Sequence, residues 1–484
     1  MNYKITNNNF FKVCKILFLL IMVVLFFVAH REYRGEGYIY VLFTISSFAL
    51  LYLGFRKNAI FFDTFIGIFF WLGFWLKLTL RTAFMDSQFH SLSIGGFGGT
   101  GSEFDRVLLI SSCGFLGLIF ASYLRERFLF KYPSTIRELG YQGLYRAYKK
   151  YRKVILIGFV LLFGFVALTN SHYGIYQRGS ISSMSLPYGL NGVYKWLLLF
   201  GLTSLSALAL RFEYEIRKTT ATYFIAVIAL IEIFVSNVSL LSRGMLLNAS
   251  ALMYGVYRAI TLYDIKTSAR FISTIVVLFL VLFVSSVVTV NYIRAENFSD
   301  DLNDFSNTSS QLDEVASSTK RLFLERWVGI EGVMAVSSYR EKGWSLWGQA
   351  WDERYSENKT SFYDLNLITS PYRNTDMTKH HFVSLPGIIA FCFYPGSFVF
   401  LFICLFVVGI FSALMEMFVY RLGGKNVILC ALLAQVIAFR FASFGYVPVQ
   451  SYLLFGTILM SIVIFYVTDK FLALRFKDNN DQNI

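Results

Sequence analysis

Two adjacent histidines, His380 and His381, stand directly before the sequence Phe-Val-Ser-Leu-Pro-Gly. A neutral imidazole has a pKa near neutrality and can accept a proton from a hydroxyl group. Glu331 lies among apolar neighbours, a setting that raises the pKa of a carboxyl group and can make it a base. We expect a general base among these three residues. The alternatives are a capping or interface pair of histidines and a solvated or ion-paired glutamate.

Five arginines lie outside the strongly basic connections of the chain. A guanidinium group stays charged in apolar surroundings and binds phosphate oxygens with two parallel hydrogen bonds. An unpaired cation in such surroundings is costly, so each arginine either meets an anionic ligand or has a structural ion pair, as Arg243 would with Glu232. The predicted phosphate-binding residues are Arg178, Arg243, Arg294, Arg326 and Arg440.

Aromatic residues recur at a spacing of three to four in the stretch that contains Trp344, Trp347, Trp351 and Tyr355. This spacing predicts one face of a helix. Indole rings stack on sugar rings, but they are also typical of the membrane interface. Residues 321–339 show apolar residues at helical spacing as well, which predicts an amphipathic helix in the same polar segment.

Metal and nucleic-acid chemistry find little support in the sequence. The five cysteines fall in apolar segments without a CxxC pair, and HxxxH or HExxH spacing is absent. We therefore expect no metal site, no cofactor and no disulfide framework. The formal net charge of +14 is explained by basic cytoplasmic loops of a membrane protein rather than by nucleic-acid binding.

The elements that must position these residues are membrane spans. The chain has 484 residues, of which 56% are hydrophobic and 15% charged. Continuous apolar runs of this kind predict an all-α polytopic membrane protein with about twelve transmembrane helices. Pro386, Pro395 and Gly396 should divide the tenth run into a short segment and a full helix. The predicted spans are 11–30, 38–55, 60–80, 106–123, 154–170, 192–210, 219–240, 244–262, 271–292, 386–420, 425–443 and 448–469.

Lysine and arginine residues follow every even-numbered span, which predicts that both termini are cytoplasmic. The chain then divides into residues 1–292 with spans one to nine, a large, partly helical periplasmic loop at 293–385, spans ten to twelve at 386–470, and a cytoplasmic tail at 471–484. We expect the loop to act as a lid that lies partly on the membrane. It would bring Arg326, Glu331 and the two histidines over a cavity whose floor holds Arg243 and Arg440.

This layout resembles the O-antigen polymerase (Wzy-type) family, the oligosaccharide repeat unit polymerases of bacterial inner membranes. The resemblance is carried by the late outer loop, by Leu-Ser-Arg-Gly at 241–244 and by His-His-Phe-Val-Ser-Leu-Pro-Gly-Ile-Ile-Ala-Phe-Cys-Phe-Tyr-Pro-Gly-Ser at 380–397. It implies a metal-independent glycosyl transfer between an undecaprenyl-diphosphate-linked donor and a second lipid-linked acceptor. It also implies diphosphate binding by Arg243 and Arg178, a catalytic histidine at 380 or 381, and a chain-length regulator as a further partner.

Two other functions remain open from the sequence. An O-antigen ligase or a lipid-linked-sugar glycosyltransferase would use similar chemistry, and the latter should carry an acidic pair in the first outer loop, where only Glu32 and Glu36 are present. A polysaccharide flippase or another transporter should show internal symmetry and charged residues deep in its central helices. The candidates for such charges are Glu232, Asp63 and Lys77.

Overall fold

The computed structural model describes residues 8–136, 138–217, 223–242, 244–263, 269–302, 326–356, 359–370 and 380–481. Two compact units are formed from interleaved parts of the chain. The first unit comprises Met1–Tyr132, Ala316–Leu414 and Ile437–Tyr452, and the second comprises Pro133–Val315, Met415–Val436 and Leu453–Ile484.

Every regular element among the described residues is a helix. Eight of these helices are long and apolar enough to cross a membrane, which is consistent with a membrane protein. They are Gly37–Gly54, Phe61–Phe84, Gly101–Phe128, Gln142–Tyr173, Pro187–Ile216, Phe271–Arg294, Phe398–Leu422 and Pro448–Phe476. Helices occupy the other predicted spans too, at Asn8–Glu32, Tyr223–Ser239, Met245–Leu262 and Val427–Ala442. The full count of about twelve spans stays a prediction.

The tenth predicted span is divided as expected. A short helix, Ile388–Cys392, is separated by a turn from the long helix Phe398–Leu422. Gly387, directly before the short helix, has a φ angle of 83°, and Gly396, in the turn after it, has a φ angle of 77°. Such backbone is unfavourable for other residues, so the two glycines fix where the chain bends.

The amphipathic helix predicted at 321–339 is shorter and more buried than expected. Its described part is a helix only over Ile330–Ser338, and seven of the nine residues of that helix are buried. Gly329 precedes it and lies so close to Gly73 that a Cβ atom would approach the carbonyl oxygen of Gly73 to 2.1 Å. This helix is packed in the core of the first unit. A lid that lies on the membrane surface would instead leave one face of the helix exposed. The preceding helix runs from Ala269 to Leu302, and its candidate membrane span ends at Arg294. The predicted start of the loop at 293 stays a prediction.

Each of the two units contains an ion pair that joins two of its own helices. In the first unit, Nη2 of Arg125 lies 2.6 Å from Oδ2 of Asp63, and the Arg125 side chain is only 1% exposed. In the second unit, Arg152 binds Glu213 with two hydrogen bonds of 2.5 and 2.9 Å. Burying a charge is costly unless it is paired, so these contacts join their helices at fixed positions.

Candidate active site

His381 is half-buried in the first unit and makes a hydrogen bond to a tyrosine. Its Nε2 atom lies 2.8 Å from the hydroxyl oxygen of Tyr446. The ring of Tyr355 packs against His381 with centroids 5.3 Å apart. Tyr355, expected on the tryptophan face, instead lies beyond the end of the helix Trp344–Trp351. The adjacent histidine, His380, is buried and stacks on Phe382. Of the two predicted histidines, His381 is therefore the one with a polar, partly accessible setting.

Arg440, in the last turn of the helix Val427–Ala442, contacts the same tyrosine from the other side. Its Nη2 atom donates to the carbonyl oxygen of Tyr446 at 3.1 Å and to Oγ of Ser451 at 2.8 Å. The guanidinium also lies 5.6 Å from the centroid of the Phe444 ring. Within the described part of the chain, its hydrogen-bond partners are neutral and no carboxylate is within ion-pair distance. The structural ion pair considered for Arg440 is thus not found there.

Glu353 fixes the backbone next to Tyr446. Its carboxylate accepts hydrogen bonds from the backbone N–H groups of Val447 at 3.1 Å and Phe362 at 2.5 Å. Burial raises the pKa of the Glu353 carboxyl group, while these two N–H donors oppose the rise. Burial, the nearby Glu353 and Tyr355 raise the pKa of the Tyr446 phenol, which keeps it protonated at neutral pH. Tyr446 and Val447 are therefore held by a histidine, an arginine and a glutamate together.

The irregular segment that carries the histidines, residues 380–387, is fixed by two hydrogen bonds. The N–H group of Gly387 donates to the carbonyl oxygen of Phe444 at 2.9 Å, and the N–H group of Ser384 donates to the Asp364 carboxylate at 2.8 Å. Gly445 has a φ of 121°, and a Cβ atom there would lie 2.4 Å from Cγ of Pro386. The close approach of these two segments positions His381 beside Tyr446.

Glu331, the third predicted base, forms an ion pair. Its carboxylate oxygens lie 2.9 and 3.0 Å from Nζ of Lys77. The Lys77 side chain is only 3% exposed and also donates to the carbonyl oxygen of Trp327 at 2.6 Å. This pairing corresponds to the structural alternative given above for Glu331. A carboxylate that neutralises a buried lysine is poorly placed to accept a proton from a substrate. His381 is therefore a better candidate for the base than Glu331.

The three tryptophans form one continuous aromatic face, as their spacing predicted. In the helix Trp344–Trp351, the ring centroids of Trp344 and Trp347 are 6.1 Å apart, and those of Trp347 and Trp351 are 5.3 Å apart. Trp344 and Trp351 are exposed. The ladder also contacts Phe400, at the start of a candidate membrane span. Sugar stacking and interface anchoring are both compatible with this arrangement.

The remaining predicted arginines are divided between the units. Arg326 lies in the first unit, in the turn before the helix Ile330–Ser338, and Arg294 lies in the second unit on the helix Ala269–Leu302. Arg178 is in the second unit, and its backbone N–H donates to the carbonyl oxygen of Leu240 at 2.9 Å. Leu240 is three residues before Arg243, which lies outside the described residues. Arg178 is thus bonded to the segment that precedes Arg243 in the sequence.

Sequence reasoning missed Tyr446 and Glu353. Glu353 lies in the Trp-Asp-Glu-Arg-Tyr stretch, where the aromatic spacing is the dominant signal, and Tyr446 follows Gly445 between two predicted spans. No group of three or more His, Cys, Asp or Glu side chains in the described ranges is arranged to hold a metal ion. Comparison with protein-family models, with curated proteins and with solved structures gave no match for this chain.

Proposed function

We propose that the chain is a bacterial inner-membrane glycosyltransferase of the O-antigen polymerase type. It would join undecaprenyl-diphosphate-linked oligosaccharide repeat units at the periplasmic face without a metal ion. One observation supports this most strongly: His381 and Arg440 both bind Tyr446. His381 binds the hydroxyl group, and Arg440, whose hydrogen-bond partners among the described residues are neutral, binds the carbonyl group. A base and a fixed positive charge are what this reaction requires.

The reaction assigns a task to each of the two groups. A neutral imidazole carries one lone pair that can accept a proton, and we assign this role to His381. His381 takes the proton of the acceptor hydroxyl, whose oxygen forms a bond to the anomeric carbon of the donor sugar. The bond from that carbon to the diphosphate oxygen breaks, and the lipid diphosphate leaves with the electron pair.

The diphosphate leaving group explains why the reaction needs arginines. Negative charge grows on the diphosphate as its bond to sugar breaks, and a preorganised cation stabilises that charge more in the transition state than in the ground state. We assign this task to Arg440. Arg178 and Arg243 stay predicted diphosphate ligands, and Arg326 and Arg294 stay predicted supporting charges, each within its own unit. The tryptophan ladder would hold the sugars by stacking.

The direct test is a reconstituted reaction. The purified full chain in lipid nanodiscs is supplied with an undecaprenyl-diphosphate-linked repeat unit as donor and acceptor, with EDTA present. The proposal predicts a ladder of longer lipid-linked products, lost in His381→Gln. Arg340→Ala is the control, because Arg340 is an exposed arginine of the same unit. Absence of any new glycosidic bond with the wild-type chain would contradict the proposal.

The same assay separates the alternatives. An O-antigen ligase would transfer the glycan only to a lipid A acceptor, so adding lipid A core as a second acceptor distinguishes it. A flippase would move the intact lipid-linked unit across the bilayer without joining two units. Reporter fusions at both ends of the chain test the proposed cytoplasmic termini, and co-purification tests a chain-length regulator.

A further inference from the structure

Asn170, in the last turn of the helix Gln142–Tyr173, is a fully buried amide whose hydrogen bonds reach two separate segments. Its Nδ2 atom donates to Oγ of Ser239 at 2.8 Å and to the Ser239 carbonyl oxygen at 3.0 Å. The same atom donates to the carbonyl oxygen of Tyr176 at 3.0 Å, and Oδ1 accepts from the Tyr176 N–H at 2.8 Å. All of these residues lie within the second unit.

Each segment leads to one of the predicted phosphate-binding arginines. Tyr176 precedes Arg178 by two residues, and Ser239 precedes Arg243 by four. A backbone hydrogen bond from Arg178 to Leu240 joins the same two segments, and Ser239 is fixed in turn by donating to the carbonyl oxygen of Ala167 at 3.0 Å. Asn170 therefore links the two segments that precede the Arg-Gly sequences.

The local charge favours an anionic ligand. No described residue forms an ion pair or hydrogen bond with the side chain of Arg178. The ammonium group of Lys195 lies 5.2 Å from the Tyr176 ring centroid, which adds a second positive charge beside the segment. A guanidinium group can bind a diphosphate tightly only while the segment that carries it keeps a fixed position.

We infer that Asn170 is a positioning residue that holds the Arg178 segment in register with residues 239–242 at a site for a lipid diphosphate, an inference that rests on the proposed function. An amide suits this task because it donates and accepts at once. Loss of its buried side chain leaves donors and acceptors of both segments without partners, so the two should loosen together.

Hydrogen exchange tests the link without any assay of activity. In Asn170→Ala, amide exchange should rise jointly in the peptides that cover 174–180 and 239–242. Ser239→Ala removes only the hydroxyl contacts and should give a smaller rise in both, which keeps the test available if the first variant folds poorly. Asn191→Ala is the matched control, because Asn191 holds only Leu186, Met184 and Ser182 in the same connection. Its exchange should rise at 182–186 alone.

Binding of undecaprenyl diphosphate in nanodiscs forms the second arm. We expect Asn170→Ala to weaken binding about as much as Arg178→Ala, by about 10- to 100-fold, with little further loss in the double variant. A rise in exchange confined to one segment, or no rise, would overturn the inference. A joint rise with a wild-type chain that does not bind the diphosphate lipid would leave the positioning role in place and count against the proposed function.

Discussion

Two kinds of arginine occur in this molecule, and their surroundings differ in one respect. Arg125 and Arg152 each contact a carboxylate of the same unit, Asp63 and Glu213 respectively. Arg440 is half-buried, and among the described residues its hydrogen bonds end on a hydroxyl and a carbonyl group. A cation with its own counter-charge stabilises the fold. A cation held by neutral groups keeps its charge available, and we interpret it as a ligand for an anionic substrate.

The largest contrast should appear in stability. Arg125→Ala leaves Asp63 buried without its partner, and breaking such a pair costs about 3–5 kcal/mol. Arg178→Ala removes a side chain with which no described residue forms an ion pair or a hydrogen bond, and should change stability by no more than about 0.5 kcal/mol. Thermal unfolding of both variants in the same detergent measures the difference. Equal losses would remove the distinction between the two kinds of arginine.

Arg440→Ala should lower the rate of glycosyl transfer by about 100- to 1,000-fold, as removal of one charge-stabilising donor does in other enzymes. Arg440→Lys should recover only part of it, because a lysine cannot make the paired contacts of the guanidinium. Initial rates at saturating donor give the comparison, with Arg340→Ala as control. A normal rate in Arg440→Ala would exclude this arginine from the site.

Tyr446→Phe tests the residue that joins the base to the cation. The substitution removes the hydroxyl that binds His381 but keeps the backbone carbonyl that binds Arg440. One neutral hydrogen bond contributes about 0.5–1.5 kcal/mol, so we expect a loss of rate of up to about tenfold. Tyr188→Phe, at a fully exposed tyrosine, should leave the rate unchanged. A Tyr446→Phe enzyme as inactive as His381→Gln would assign the tyrosine a larger part in the reaction.

The smallest effect concerns Glu353 and pH. The pKa of its carboxyl group is raised by burial, so the folded chain binds more protons there than the unfolded chain does. Its contribution to stability is fully present below the unfolded pKa of about 4.3, and is lost as the pH rises through the folded pKa. The melting temperature of Glu353→Gln should therefore fall less than that of the wild type as pH is raised above this value. A steeper fall in the variant would contradict the assignment.

Much of the helical framework could be predicted because it depends on local patterns. Apolar runs gave helices in the predicted span ranges, and two prolines with Gly396 divided the tenth. The tryptophan spacing correctly predicted a shared face. The helix Ile330–Ser338 was predicted too long and as a surface helix. Its spacing could not reveal that a helix distant in sequence, Phe61–Phe84, supplies Lys77 and Gly73 as contacts at its start.

The candidate site was predictable only in part, because its contacts join distant positions. His381 and Arg440 were identified by residue type. Tyr446, 65 positions from its histidine partner, had no signal of its own. Glu331 and Lys77 are separated by 254 positions, so neither could be recognised as paired. The types of the side chains therefore predict candidates for the site. The tertiary contacts decide which charged candidates are already paired with an opposite charge.

The central claim is that Arg440 keeps its charge for a diphosphate, and its binding preference tests this most directly. The affinities of the wild type and of Arg440→Ala for undecaprenyl diphosphate and undecaprenyl monophosphate can be measured in nanodiscs at fixed salt. We predict that the wild type binds the diphosphate more tightly by at least about tenfold, since one charge-assisted contact contributes about 1.5–3 kcal/mol, and that the variant loses this preference. An unchanged preference in Arg440→Ala would contradict the account.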